Sequence, residues 1–118
     1  MSEHDTQAAF FQLAGYNEAQ YPQLRWMHAI PNGGLRNRNV AMKLKREGVK
    51  AGVWDVFLPF PSGEWHGLYI EFKFGTNKLT DNQIEFGDYL KQAGYCRVVA
   101  YDAGEAMNSV ISYLEGEL

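Results

Sequence analysis

Two apolar runs, "WDVFLPF" at 54–60 and "GLYIEFKF" at 67–74, are separated only by "PSGEWH". Parallel strands need a crossover of a dozen or more residues, so a link this short leaves an antiparallel hairpin. In the second run Ile70, Phe72 and Phe74 alternate with Tyr69, Glu71 and Lys73. The first three are expected on a buried face and the others opposite, with Glu71 and Lys73 about 7 Å apart along the strand. Asp55 precedes Glu71 by sixteen positions, and the turn between them can bring the two carboxylates close enough to share a cation. Two carboxylates and a backbone carbonyl suit a hard divalent ion such as Mg²⁺, which takes oxygen ligands and keeps several waters. Lys73, on the same face, can orient or deprotonate an attacking water or stabilise charge on a phosphate oxygen.

Taken alone, Glu-x-Lys on a strand is an ordinary solvent-facing pair worth a few tenths of a kcal/mol. Three neighbours weigh against that reading here. Gly52 precedes Asp55, as if the chain approaches something closely; aromatic residues back the pair; and Gln83 lies near the start of the next helix, able to reach the same face.

The remaining chain reads as helices and strands in alternation. Residues 3–16 form a helix with Ala8, Phe11 and Ala14 at helical spacing and Gly15 as its stop. "LRWMHAI" (24–30) reads as a strand ending in the turn "PNGG". Residues 39–48 form a short helix with Val40 and Leu44 inward, cations in its last turns and Gly48 at its end. Residues 78–94 form a helix from the N-cap Thr80 to Gly94, followed by the strand "YCRVVAYD" and a terminal helix with Met107, Val110, Ile111 and Leu114 on one stripe. The order α-β-α-β-β-α-β-α implies an α/β fold, a mixed sheet with helices on it, and 118 residues suit one domain, 1–118.

The chain is 46% hydrophobic with a net charge of −3, and its longest apolar run falls far short of a membrane span. The polar, acidic start "MSEHDTQ" reads as neither signal peptide nor transit segment. A single cysteine, Cys96, excludes an internal disulfide, reads as buried filler and fits a reducing, cytoplasmic setting. Nucleic-acid binders are usually basic, yet the charges here are segregated. From Arg25 to Lys50 there are seven Lys or Arg against one acid, Glu47. Within that stretch Asn32, Gly33 and Gly34 are either a plain turn or a DNA-contacting loop whose N–H groups suit phosphate, and Arg36, Arg38, Lys43 and Lys45 follow at once. His4, His28 and His66 lack metal-ligand spacing. Trp26 and Trp65 read as packing residues in preference to base-stacking ones.

"NGG" with a short basic helix, then "GVKAGVWDVFLPFPSGEWHGLYIEFKFG", then "LTDNQ", together resemble the virus-type replication–repair nuclease domain, VRR-NUC, a compact branch of the PD-(D/E)xK nucleases. The resemblance runs from about Glu3 to Tyr101 and is nearest to the stand-alone, phage-encoded members, which would place the protein in a host cytoplasm. It implies a restriction-endonuclease-like mixed central sheet flanked by helices. It also implies Asp55 and Glu71 as metal ligands with the carbonyl of Phe72, Lys73 as catalytic lysine, and Gln83 as the glutamine of the following helix. The family's N-terminal Glu-x-x-x-Gln is matched by Glu3 and Gln7, which share a helical face, so Glu3 is a further candidate ligand. The chain departs from the family at Trp54, where proline is frequent; this changes the strand's entry and not the ligand set.

The activity so implied is a Mg²⁺- or Mn²⁺-dependent DNA endonuclease acting on branched DNA, foremost four-way junctions. Two symmetric nicks and one site per chain lead to a homodimer. The alternatives are a flap-type or nonspecific nickase, and a DNA-structure-binding module that does not cut.

Overall fold

The structure is a computed structural model describing residues 2–31 and 37–118. The expected hairpin is its centre. Strand β2 (Val56–Leu58) pairs antiparallel with β3 (Leu68–Phe72) in the register Val56↔Ile70, Phe57↔Tyr69 and Leu58↔Leu68. The turn between them is closed by reciprocal backbone bonds between Ser62 and Trp65. Strand β1 (His28–Ala29) adds antiparallel to the outer edge of β2, and β4 (Cys96–Ala100) adds parallel to β3, giving the order β1-β2-β3-β4.

Among the described residues four α-helices accompany this mixed sheet: α1 (Glu3–Asn17), α2 (Arg38–Arg46), α3 (Asp81–Gln92) and α4 (Ala103–Leu114). One sheet face is apolar throughout. Val56, Leu58, Leu68, Ile70 and Phe72 pack against Phe10 and Ala14 of α1 and against Ala106, Met107, Val110 and Tyr113 of α4. Phe10 meets Phe72 ring to ring at 5.2 Å. The other face belongs to α3. Tyr69 stacks on Phe57 at 4.6 Å and meets the ring edges of Phe86 and Tyr95. Alternation along β3 therefore sends the even residues to α1 and α4, and the odd ones, Tyr69 and Glu71, toward α3.

Helix ends follow local chemistry. Ser2, Asn37, Thr80 and Asp102 each accept a backbone N–H in the first turn of the helix that they precede. Gly48 and Gly94, both at positive φ, close α2 and α3: the next residue's N–H reaches back to Leu44 and Leu90, and the glycine's own N–H to Lys45 and Lys91.

Several expectations need correction. Residues 22–26 form a 3₁₀ turn, opened by Pro22, so the strand expected at 24–30 shrinks to His28–Ala29. Gly15 lies inside α1, whose buried stripe is Thr6, Phe10 and Ala14, with Ala8 exposed and Phe11 half-buried. Helix α2 buries none of its residues, and Val40, expected inward, is exposed. The sheet's helix-bearing faces are already taken by α1, α4 and α3. Phe74 lies beyond the end of β3 and is exposed.

Candidate active site

The register of the hairpin, extended by one pair beyond Val56↔Ile70, sets Asp55 opposite Glu71. Backbone bonds hold the approach to this pair. Ile30 N–H donates to the Asp55 carbonyl at 2.7 Å, fixing the chain from the β1 side. Phe72 N–H donates to Asp55 Oδ2 at 2.8 Å, so one carboxylate oxygen is tied to the backbone of β3. Lys73 N–H donates to the Ala100 carbonyl at 3.0 Å, carrying the β3–β4 ladder one residue past the strand.

Glu71 and Lys73 are only 2% and 6% exposed, which no surface charge pair would be. Lys73 Nζ lies 3.7 Å from Glu71 Oε2. The same oxygen accepts from Gln83 Nε2 at 2.8 Å. Glu71 Oε1, also buried, has no hydrogen-bond partner. A buried carboxylate oxygen without a donor is costly, and the Glu71 carboxyl lies against that of Asp55.

The energetics show in the titration of the pair. The Glu71 carboxyl is pushed up to about 8, first by burial, then by the Asp55 charge, against the opposing pull of Lys73. Asp55 is also raised, chiefly by burial, while its hydrogen bond from Phe72 N–H pulls it down. The Glu3 charge raises both groups. Two neighbouring carboxyls that both resist ionisation form a place that a cation, either a proton or a metal, would relieve.

Gln83 is fixed from three sides. It is the third residue of α3 in a capping box: its backbone N–H donates to Thr80 Oγ1, and its Oε1 accepts from Thr80 N–H at 2.9 Å. With Oε1 engaged by an N–H donor, the amide nitrogen must face Glu71, so the orientation of the amide is not a free choice. Its backbone carbonyl accepts from Trp54 Nε1 at 2.9 Å. From this position its amide meets Glu71, on the face that the sequence expected it to reach.

Trp54 is a residue whose role sequence reasoning missed. It is 2% exposed and lies under α3, where a Cβ on Gly87 would come within 2.8 Å of its ring. Gly52 shows the same close approach. It has φ +88, and a Cβ there would stand 2.6 Å from the Asn82 carbonyl oxygen. The two glycines let the first turns of α3 settle onto the entry to Asp55. The spacing Gly-x-Trp-Asp was the available signal for half of this.

The outer candidates are more scattered. Glu3 and Gln7 are half-buried on α1, whose first turn is capped by Ser2. Among the described residues, no three His, Cys, Asp or Glu side chains converge to hold a metal. Arg38, Lys43 and Lys45 are exposed on α2. Asn32, Gly33, Gly34 and Arg36 lie outside the described residues. Clefts flank the segment leading to Asp55, one of about 460 Å³ beside Lys50, Val53 and Phe86 and one of about 270 Å³ beside Ile30 and Val49. Neither is lined by Asp55, Glu71 or Lys73.

Comparison with known proteins gives a family and a related structure. The family model described as the VRR-NUC domain matches residues 2–103. A solved structure titled "VRR_NUC domain protein" is similar over 98% of this chain and 90% of its own, at 29% identity and a TM-score of 0.79. No curated protein matches.

Proposed function

The chain belongs to the VRR-NUC family of nucleases, and on that premise we propose that it is a Mg²⁺- or Mn²⁺-dependent DNA endonuclease with Asp55, Glu71, Lys73 and Gln83 at its centre. The observation that carries the reading is Glu71 itself: Oε2 is held by Gln83 and Lys73, Oε1 is buried away from any N–H donor, and the carboxyl lies against that of Asp55. An all-oxygen donor set of two carboxylates and the Phe72 carbonyl fits a hard divalent ion. Glu3 is the further carboxylate, near enough for its charge to be felt at both groups. When bound, such an ion supplies positive charge against the scissile phosphate and makes a nearby water more acidic.

The chain's own residues do the rest. Gln83, locked by its capping box, holds Glu71 with one oxygen turned away from the amide. Lys73, buried beside Glu71, presents its ammonium where charge builds up on the phosphate, or assists removal of a proton from the attacking water. The water oxygen bonds to phosphorus as the phosphorus–oxygen bond to the departing strand breaks. Arg38, Lys43 and Lys45 lay cations along the DNA backbone from a helix that the fold leaves unburied, with Asn32, Gly33, Gly34 and Arg36 preceding it in the chain.

We assign branched DNA as the substrate, with the four-way junction foremost. Each chain has one such site and a junction needs two symmetric cuts, so a C₂ homodimer is the working form. The test is a panel of four-way junction, flap and plain duplex with Mg²⁺ or Mn²⁺, run on the wild type and Lys73→Ala together. The proposal expects paired nicks across the junction by the wild type alone. Preferential cutting of the flap, or equal cutting of all three, would replace the junction assignment with a flap-type or nonspecific nickase. Binding without cutting on any substrate would make the protein a DNA-structure-binding module.

A further inference from the structure

Trp26 was expected to be a packing residue, and instead its side chain stands in solvent. It is 63% exposed, at the end of the 3₁₀ turn Pro22–Trp26, while its neighbours Leu24 and Met27 are buried. The guanidinium of Arg25 lies over its ring, 5.0 Å from the centroid. A large aromatic left in water beside an arginine contributes little to the core, and the pair has the composition of a base-stacking surface.

Its position relative to Asp55 follows from the strand. Met27 belongs to the core on the α1 and α4 side, whereas His28 meets the ring of Phe57 on the opposite side. Met27 is extended (φ −66, ψ 133) and leads from the 3₁₀ turn that carries Trp26 directly into β1. Ile30 is hydrogen-bonded to Asp55. Trp26 and Ile30 are four chain steps apart, a span of at most about 14 Å. At about 3.4 Å per step of duplex, that is a few base pairs. The intervening β1 residues, His28 and Ala29, are exposed.

We propose that Trp26 and Arg25 form a stacking platform for an unpaired base of the DNA, a few nucleotides from the phosphate at Asp55 and Glu71. This rests on the nuclease reading and adds to it a physical basis for choosing branched or frayed DNA. A paired base shows no free face to an indole, whereas an unpaired one does, and stacking is indifferent to which base it is. Arg25 contributes cation–π attraction and a positive charge for the adjoining phosphate.

The experiment measures DNA affinity by anisotropy in chelator, where cutting is suppressed, for a duplex with splayed single-stranded arms and for a blunt duplex of the same sequence. Trp26→Ala should weaken binding to the splayed DNA by about 5- to 150-fold, the range for loss of one stacked base, and alter blunt-duplex binding less than about twofold, as expected if phosphate contacts dominate there. Trp26→Phe should keep most of the preference, and Arg25→Ala should lose part of it. Because the side chain is exposed, all three variants should melt with the wild type. An unchanged ratio of the two affinities in Trp26→Ala would overturn the platform. Nicking by the wild type with Mn²⁺ is measured separately. Nicking with an unchanged ratio removes the platform and leaves the nuclease; a changed ratio without nicking keeps the platform and removes the nuclease.

Discussion

Glu71 is buried beside a second carboxyl, Asp55, and that placement makes a pH prediction. Its carboxyl is pushed from an ordinary 4.5 up to about 8 in the folded chain. Without metal, the folded state therefore keeps a proton that the unfolded state releases. Its contribution to stability is full below about pH 4.5 and is lost progressively as pH rises toward 8. Melting temperature measured in chelator should fall across that window, and Glu71→Gln should flatten the fall. Parallel curves for the two proteins would show that Glu71 is not the group responsible. Tyr69 is explained at this scale too. It stands on the charged side of β3 because its ring, with Phe57, Phe86 and Tyr95, fills the space under α3.

At the scale of elements, the first turn of α3 carries both a cap and a positioning group. Thr80→Ala removes the side-chain acceptor of the box and should cost about 1 kcal/mol of stability. It should also lower kcat, because the Gln83 amide loses the turn that aims it at Glu71; Thr80→Ser should restore both. Loss of stability with kcat unchanged would separate the cap from the site. Gly52→Ala should be worse, by roughly 1–2 kcal/mol or more, since an L-residue is strained at positive φ and its Cβ would strike the Asn82 backbone. Denaturant titration reads both effects. The hairpin was legible in the sequence because a six-residue link favours antiparallel pairing, whereas the register that sets Asp55 opposite Glu71 came from the structure. The run 24–30 was misread because seven apolar-rich residues cannot distinguish a helical turn from a strand, and only Pro22 marked the difference. The burial of Glu71 and Lys73, and the place of Trp54, depend on how α3 docks. No local pattern encodes that docking, although Gly52 hinted at it.

For the whole molecule, a net charge of −3 must coexist with a polyanionic substrate. The fold leaves α2 unburied with its cations outward, so DNA affinity should drop steeply with salt, and Lys43→Ala or Lys45→Ala should each reduce the slope of log K against log salt by about 1. A slope unchanged in both variants would remove α2 from the interface. No helix among the described residues is long and apolar enough to cross a membrane. The central claim is that Asp55, Glu71 and Lys73 form one metal-dependent phosphodiesterase site, and nicking of a branched DNA in Mn²⁺ tests it most directly. With folding verified by melting, the wild type should nick and should stop on chelation. Glu71→Gln and Lys73→Ala should lose at least about 100-fold in rate while still binding the DNA. Nicking at the wild-type rate by both variants would contradict the account.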